Sequence, residues 1–289
     1  MTVAVVGPGA VGMTLAVGLV EAGESVVLCG RTRVDAVTLT EDEHGTRTVP
    51  MRFAGDPSQV QPVDWVVLAT KIHQTEAAWP WLATLAGAGT RVVAAQNGVD
   101  HADRVPESLR SAVAPALVYI NAERVAVGEV RARRTERELV LPDDAGGRAA
   151  AELFAPTWIR TETVPDFRTA AWRKLLTNVA ANPITALTGR RIEVLLEPDV
   201  ARLALDVLRE TVAVGCAAGA DLSDASVEDT LSWLQALPAG ATSSMLQDRA
   251  AGRPLEYDGL TGAVVRLAGR YGIDVPANRA LLALTSALG

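Results

Sequence analysis

The sequence predicts an α/β domain over residues 1–165 followed by an all-α domain over residues 166–289. Three observations carry this expectation. Short apolar runs bounded by glycine and polar loops alternate with helical patterns through the first half. A glycine-rich loop, residues 7–12, stands directly between the first apolar run and the first helical pattern. Beyond about Asp166 the strand-like runs stop, and helical patterns follow one another to the C-terminus. The 289 residues suffice for two domains of the usual ~100–200 residues. A hydrophobic content of 49% supplies both with cores.

Val3 to Gly7 is an apolar run of the kind that forms a buried parallel strand, and Ala10 to Ala22 reads as a helix closed by Gly23. Between them lies Gly7-Pro8-Gly9-Ala10-Val11-Gly12, the spacing of a Rossmann-type dinucleotide loop. The chemistry asks for a tight turn at Gly7, close approach of backbone to a pyrophosphate at Gly9, and close helix-to-strand packing at Gly12. The helix start adds amides and a positive dipole end. Ser25 to Cys29 is the second strand, and Arg31 follows where an NAD enzyme places an acidic residue on the ribose. A guanidinium there matches a 2′-phosphate, so the expected cofactor is NADPH, with Arg33 as an assistant.

Thr38 to Phe53 reads as a hairpin around Glu41-Asp-Glu-His-Gly45. Asp64 to Ala69 is a buried strand ending in Thr70-Lys71, and Arg91 to Ala95 another ending in Gln96-Asn97-Gly98. Both polar ends fall on the carboxyl edge where open α/β sheets bind ligands, which makes Lys71 and Asn97 candidates. Val113 to Asn121 and Glu129 to Leu141 read as further strands, the second exposed. Arg148 to Phe154 is a short helix and Trp158 to Thr163 a strand.

The second half opens on a helix through Ala170 to Thr185 that sets Lys174, Asn178 and Asn182 four apart, on one face. Leu175, Leu176, Val179, Ala180 and Ile184 bury much of the remaining circumference, so the polar trio borders a packed region. Pro183 is expected to kink or break the helix just past Asn182. Further helices are expected at Pro198 to Ala218, Ala225 to Ala236, Ser243 to Ala251, Glu256 to Tyr271 and Asn278 to Leu288. Ser243 reads as an N-cap, and Glu256 by itself as a carboxylate at a helix start.

Composition excludes several functions. A net charge of −7 without a basic run argues against nucleic acid and against an anionic membrane. No stretch supplies ~20 uninterrupted apolar residues, and the apolar N-terminus lacks a cationic leader, so neither a membrane span nor export is expected. Cys29 and Cys216 read as buried fillers of a cytoplasmic protein, and His44, His73 and His101 lack metal-site spacing, so no metal is expected.

With these residues in view the chain resembles the ketopantoate reductase (2-dehydropantoate 2-reductase) family. The resemblance rests on Gly7 to Gly12, Thr70-Lys71, Gln96 to Gly98, Trp172 to Leu175 with Asn178 and Asn182-Pro183, Ser243 to Asp248 with Glu256, and Gly272 to Pro276 with Asn278. It implies NADPH-dependent reduction of a small 2-oxo acid, ketopantoate, in pantothenate synthesis, in a cleft between the domains. It also implies roles: Lys174 the general acid, Glu256 a partner of the substrate hydroxyl, Asn178 and Asn182 orienting amides, and Ser244 a carboxylate contact. Lys71 and Asn97 would stand near the nicotinamide ribose and the reacting centre, and a homodimer is expected by the same analogy. Gly128 to Pro142 departs from the family's pattern by its density of Arg and Glu, which puts its part in the crevice in question. Two other readings stay open: a paralogous NADPH-dependent reductase of another branched 2-oxo acid or ketone, and a non-catalytic NADPH-binding regulator.

Overall fold

The computed structural model describes residues 1–288. The chain forms two compact units, Met1–Gln96 with Asp100–Phe167, and Asn97–Val99 with everything from Arg168 onward. Among the described residues no helix is long and apolar enough to cross a membrane.

The first unit contains, in order, β1 (Thr2–Val6), α1 (Ala10–Glu21), β2 (Ser25–Cys29), β3 (Ala36–Glu41), β4 (Gly45–Pro50), β5 (Arg52–Ala54), β6 (Trp65–Leu68), α2 (Trp79–Leu85) and β7 (Arg91–Ala95). It continues through β8 (Val113–Val118), β9 (Asn121–Ala126), β10 (Glu129–Arg133), β11 (Leu139–Pro142), α3 (Ala145–Phe154) and β12 (Thr161–Val164). Six strands run parallel in the order β5-β2-β1-β6-β7-β8. β11 then joins β8 antiparallel and carries β12 at the edge. The winding reverses between β1 and β6, and in open α/β sheets the crevice at such a reversal takes the ligand.

A second sheet, in the order β4-β3-β10-β9, is built from the predicted hairpin and the Arg-rich stretch. α1 packs against β2 of the large sheet and against β3, β9 and β10 of the small one. A surface helix buries one stripe. Here Gly12 to Leu19 are buried without interruption, which is why α1 has no polar face. At Gly18 a Cβ would stand 2.6 Å from Ile159 Cδ1, so the glycine admits that side chain.

The expectation of one exposed strand over Glu129 to Leu141 is corrected: β10 and β11 are separate, and Val130 and Ala132 of β10 are buried against α1. The predicted Val113 to Asn121 strand likewise divides, between β8 and β9. The charges of this stretch are structural. Arg134 donates to Glu41 at 2.8 Å and Arg47 at 2.5 Å, and both guanidiniums lie over the Trp158 ring. Burial acts to raise the Glu41 pKa, but the bonds from Arg134 and Arg47 outweigh it and hold the carboxyl below its ordinary value. Glu138 accepts from the Thr135 and Arg160 amides at 2.9 and 2.7 Å and so ties the β10–β11 connection to the approach to β12.

The second unit is helical: α4 (Phe167–Thr188), α5 (Pro198–Ala217), α6 (Asp224–Gln235), α7 (Ser244–Ala250), α8 (Thr261–Tyr271) and α9 (Pro276–Ser286). α4 buries Trp172, Leu175, Leu176, Val179 and Ala180. Gly215 lets α5 approach it, since a Cβ there would meet the Trp172 ring at 3.0 Å. Of the kink or break expected at Pro183, the break does not occur, and α4 runs on to Thr188. Pro183 removes one amide, but Ala180 to Ala186 are all buried around it, and packing outweighs the loss of one helical bond. Arg249 closes this end by donating to the Ala186 and Leu187 carbonyls. Asn278, by contrast, is a structural residue: its side chain and amide bond Glu210 at 2.8 and 2.9 Å, which seats the start of α9 on α5. Cys29 is buried as expected, whereas Cys216 is exposed, on the outer side of α5.

Candidate active site

In the first unit the residues expected to hold a dinucleotide sit at the reversal of the sheet. Gly7 adopts φ +102°, and a Cβ there would lie 2.7 Å from the Thr70 amide, so the turn presses against the end of β6. At Gly12 a Cβ would stand 2.1 Å from the Gly7 carbonyl, which fixes the loop on the helix start. Pro8 leans on Gly30, where a Cβ would meet the Pro8 ring at 2.5 Å, so the end of β2 supports the loop from the side. Gly9 is different: a Cβ there would meet nothing within 4 Å. It is also the N-cap of α1 and brings no side-chain oxygen to the first-turn amides at Ala10 and Val11. Open space over uncapped amides is what a pyrophosphate requires, so these residues fit a nicotinamide dinucleotide.

Arg31 follows β2 and is exposed, at the place where the adenosine ribose is read. Arg33 is engaged elsewhere, donating to Asp35 at 2.9 Å. Lys71 is half-buried in the turn after β6. That turn is held by a residue to which sequence reading gave no role. Gln96, 3% exposed at the end of β7, donates through Nε2 to the Thr70 carbonyl at 2.9 Å, to Thr70 Oγ1 at 3.0 Å and to Thr75 Oγ1 at 2.8 Å. His101, also buried, bonds the Gln96 carbonyl at 2.8 Å. Asn97 follows Gln96 directly and is grouped with the second unit.

In the second unit α4 carries Lys174, Asn178 and Asn182 on one face. Burial lowers the Lys174 pKa to about 7, and the negative charge of Glu256 acts in the opposite sense. An ammonium near neutrality can give up its proton within the working range of an enzyme. The Nδ2 atoms of Asn178 and Asn182 are buried and have no hydrogen-bond partner. An unmade buried bond costs ~1–3 kcal/mol, so two on successive turns of one face mark where a ligand is to supply acceptors.

Glu256 is 7% exposed and lies in the segment before α8, not in that helix as expected. The reason is local. Arg253 donates to Asp248 Oδ1 at 2.8 Å, its amide bonds the Asp248 carbonyl at 2.8 Å, and Arg266, within α8, reaches back to Asp258 at 2.7 Å. The segment is thus folded back on the end of α7. Ser243 caps α7 as expected, bonding the Leu246 amide at 3.1 Å, and its hydroxyl also meets Thr185 Oγ1 at 2.6 Å. This buried contact hangs α7 on α4 one turn past Asn182. Ser244, first residue of α7, is exposed. Thr185 and the Asp248–Arg253 pair were not singled out as supports, and only their neighbourhood to Ser243 and Glu256 in the sequence hinted at them.

The model described as Ketopantoate reductase PanE/ApbA matches residues 3–145, and that of Ketopantoate reductase PanE/ApbA C terminal matches residues 166–289. A 2-dehydropantoate 2-reductase of Caulobacter vibrioides is 40% identical over 99% of this chain and 98% of the relative. The chain belongs to the ketopantoate reductase family. Solved ketopantoate reductases share its fold. One from Ralstonia eutropha matches at 33% identity and TM-score 0.89, covering 100% of this chain and 98% of that one. A dimeric ketopantoate reductase from Staphylococcus aureus matches at 27% identity and TM-score 0.89 over the same shares. As a ketopantoate reductase the chain is an oxidoreductase, and its α/β unit with a glycine loop and its helical unit are the two halves that the family models describe.

Proposed function

We propose that this chain reduces 2-dehydropantoate to pantoate with NADPH, in pantothenate synthesis. The observation that carries the reading is the α4 face, where a lysine with a pKa lowered to about 7 stands in line with two amides whose nitrogens are buried and unpartnered. When bound, the reduced nicotinamide supplies the hydride for the ketone carbon. The amides of Gly9, Ala10 and Val11 bind the pyrophosphate, Gly7, Pro8 and Gly12 give the loop its shape, and Arg31 binds the 2′-phosphate. Lys71 and Asn97 hold the nicotinamide end.

Lys174 protonates the oxygen that becomes the alcohol, and its charge stabilises the developing alkoxide before the transfer. Asn178 and Asn182 give their Nδ2 hydrogens to the substrate, which relieves the cost of holding them unbonded. Ser244 contacts the substrate carboxylate. Glu256 accepts from the substrate hydroxyl and keeps Lys174 more basic than burial alone would leave it. The protein works as a homodimer, in keeping with the dimeric relative from S. aureus, and its two free cysteines suit a reducing cytoplasm.

The test is oxidation of NADPH by the purified protein with ketopantoate, run beside NADH and two other branched 2-oxo acids. Turnover is expected with ketopantoate and NADPH. Turnover with another 2-oxo acid alone would move the function to a paralogous reductase, and cofactor binding without turnover on any of them would make the chain a binder.

A further inference from the structure

The carboxyl ends of β6 and β7 are joined by one side chain, and its bonding is over-determined. Gln96 Nε2 carries two hydrogens and has three oxygens within 3.0 Å. One is the Thr70 carbonyl, which can only accept. Thr75 donates its own hydroxyl hydrogen to the Ile72 carbonyl at 2.9 Å, so its oxygen too faces Gln96 as an acceptor. The nitrogen must therefore lie on this side, and Oε1 is left buried with no partner. Thr75 is 2% exposed, so water does not replace the bond. Gln96 thus holds Thr70 by its carbonyl and its hydroxyl, and the Ala69–Thr70 peptide on the other side of the same residue is the one against which Gly7 packs, with no room for a Cβ. The turn that Gln96 holds also carries Lys71.

We propose that Gln96 is a positioning residue for the dinucleotide, which acts by fixing the Thr70–Thr75 turn under the glycine loop and with it the placement of Lys71. This rests on the reading of Gly7 to Gly12 and Lys71 as the cofactor's holders, and it goes beyond the roles given above. The side chain need not touch the cofactor. Its contribution is to stop the end of β6 from drifting away from Gly7, so that the loop keeps one shape before the cofactor arrives.

The amide orientation supplies the test. A carboxylate at position 96 would set a negative oxygen against the Thr70 carbonyl and the Thr75 lone pair. The protonated carboxylic acid would restore one donor. Affinity for NADP⁺, measured calorimetrically without substrate, is to be compared for wild type, Gln96→Met and Gln96→Glu at pH 5.5 and pH 8, with thermal unfolding as a check on folding. Gln96→Met is expected to bind about tenfold more weakly at both pH values, the loss of one to two hydrogen bonds. Gln96→Glu is expected to approach wild type at pH 5.5 and to fall about tenfold behind it at pH 8. A constant ratio of Gln96→Glu to wild type across this range, or wild-type affinity in Gln96→Met, overturns the proposal.

If Gln96→Met does not fold, Thr75→Val decides with Gln96→Glu: it removes one of the acceptors of Gln96 together with the Thr75 bond to the Ile72 carbonyl, and a few-fold loss of NADP⁺ affinity is expected, with unchanged affinity counting against the idea. Failure of the wild-type protein to reduce ketopantoate would sink the substrate reading and leave these cofactor affinities as the judgement on Gln96.

Discussion

The two halves of the candidate machinery are made of different material. The glycine loop of the first unit works through backbone: its side chains are small because Gly7 and Gly12 leave no room for a Cβ and Gly9 leaves a space open. The α4 face of the second unit carries side chains that are costly to keep, a lysine depressed by burial and two amide nitrogens without partners. The first pattern asks that nothing be added. The second asks that nothing be taken away, and substitutions in the two places should therefore fail in opposite ways.

The largest effect is expected at Lys174. Lys174→Ala should lower kcat by ~10²–10⁴-fold, the usual worth of a positioned acid, while NADPH affinity in a fluorescence titration stays within a few-fold. Comparable losses in both would merge the two halves into one. In the wild type, burial moves the Lys174 pKa down from 10.5 to about 7, and the proton donor is the charged form. Reduction should accordingly be fastest below about pH 7 and fall as pH rises through that value. Stability runs the other way: the unfolded lysine stays charged up to its ordinary pKa, so between about pH 7 and 10.5 the unfolded state holds more protons, and this residue's contribution to stability rises with pH.

Next in size is Arg31→Asp, which on the proposed reading replaces a charge-assisted bond to the 2′-phosphate by repulsion. The ratio of kcat/KM for NADPH over NADH should fall by about 10–100-fold. A ratio that does not move would remove Arg31 from the cofactor site.

Gly9→Ala sharpens the comparison further, since the added methyl meets no protein atom. The unfolding midpoint should change little, while dinucleotide affinity drops about tenfold because the methyl occupies space reserved for phosphate. A lowered midpoint with intact binding would reverse the reading of that space. The smallest effect belongs to the amides. Asn178→Ala and Asn182→Ala should each raise KM for the 2-oxo acid by up to about tenfold. Stability should hold or improve, because each removes a buried nitrogen that the free protein leaves unbonded.

What could be read in advance follows the same division. The glycine loop and the strand ends were legible because backbone requirements act on neighbours in sequence, so Gly7, Gly9 and Gly12 declare themselves by spacing. Lys174, Asn178 and Asn182 were legible because helical periodicity alone puts them on a face. Of the kink or break that Pro183 predicts, the break is absent, since a local rule about one amide cannot weigh the burial of the residues around it. Glu256 was misplaced into a helix because the bonds that hold its segment, from Arg253 to Asp248 and from Arg266 to Asp258, depend on a fold-back that no periodicity announces. Gln96 was seen as part of a motif and missed as a tie, for its partners Thr70 and Thr75 lie more than twenty positions upstream.

The enclosure of α1 between two sheets has a consequence for the chain as it is made. The small sheet is closed by β10 pairing in parallel with β3, from residues 129–132 to residues 38–41. A ribosome adding ~5–20 residues per second takes roughly 5–20 s to pass from one strand to the other. Throughout that interval the most continuously apolar helix of the first unit lacks β10, and for most of it β9, the strands that complete its second cover. The nascent chain therefore carries exposed apolar helix surface for seconds, the interval in which such surface is prone to aggregation, long before any cofactor is met.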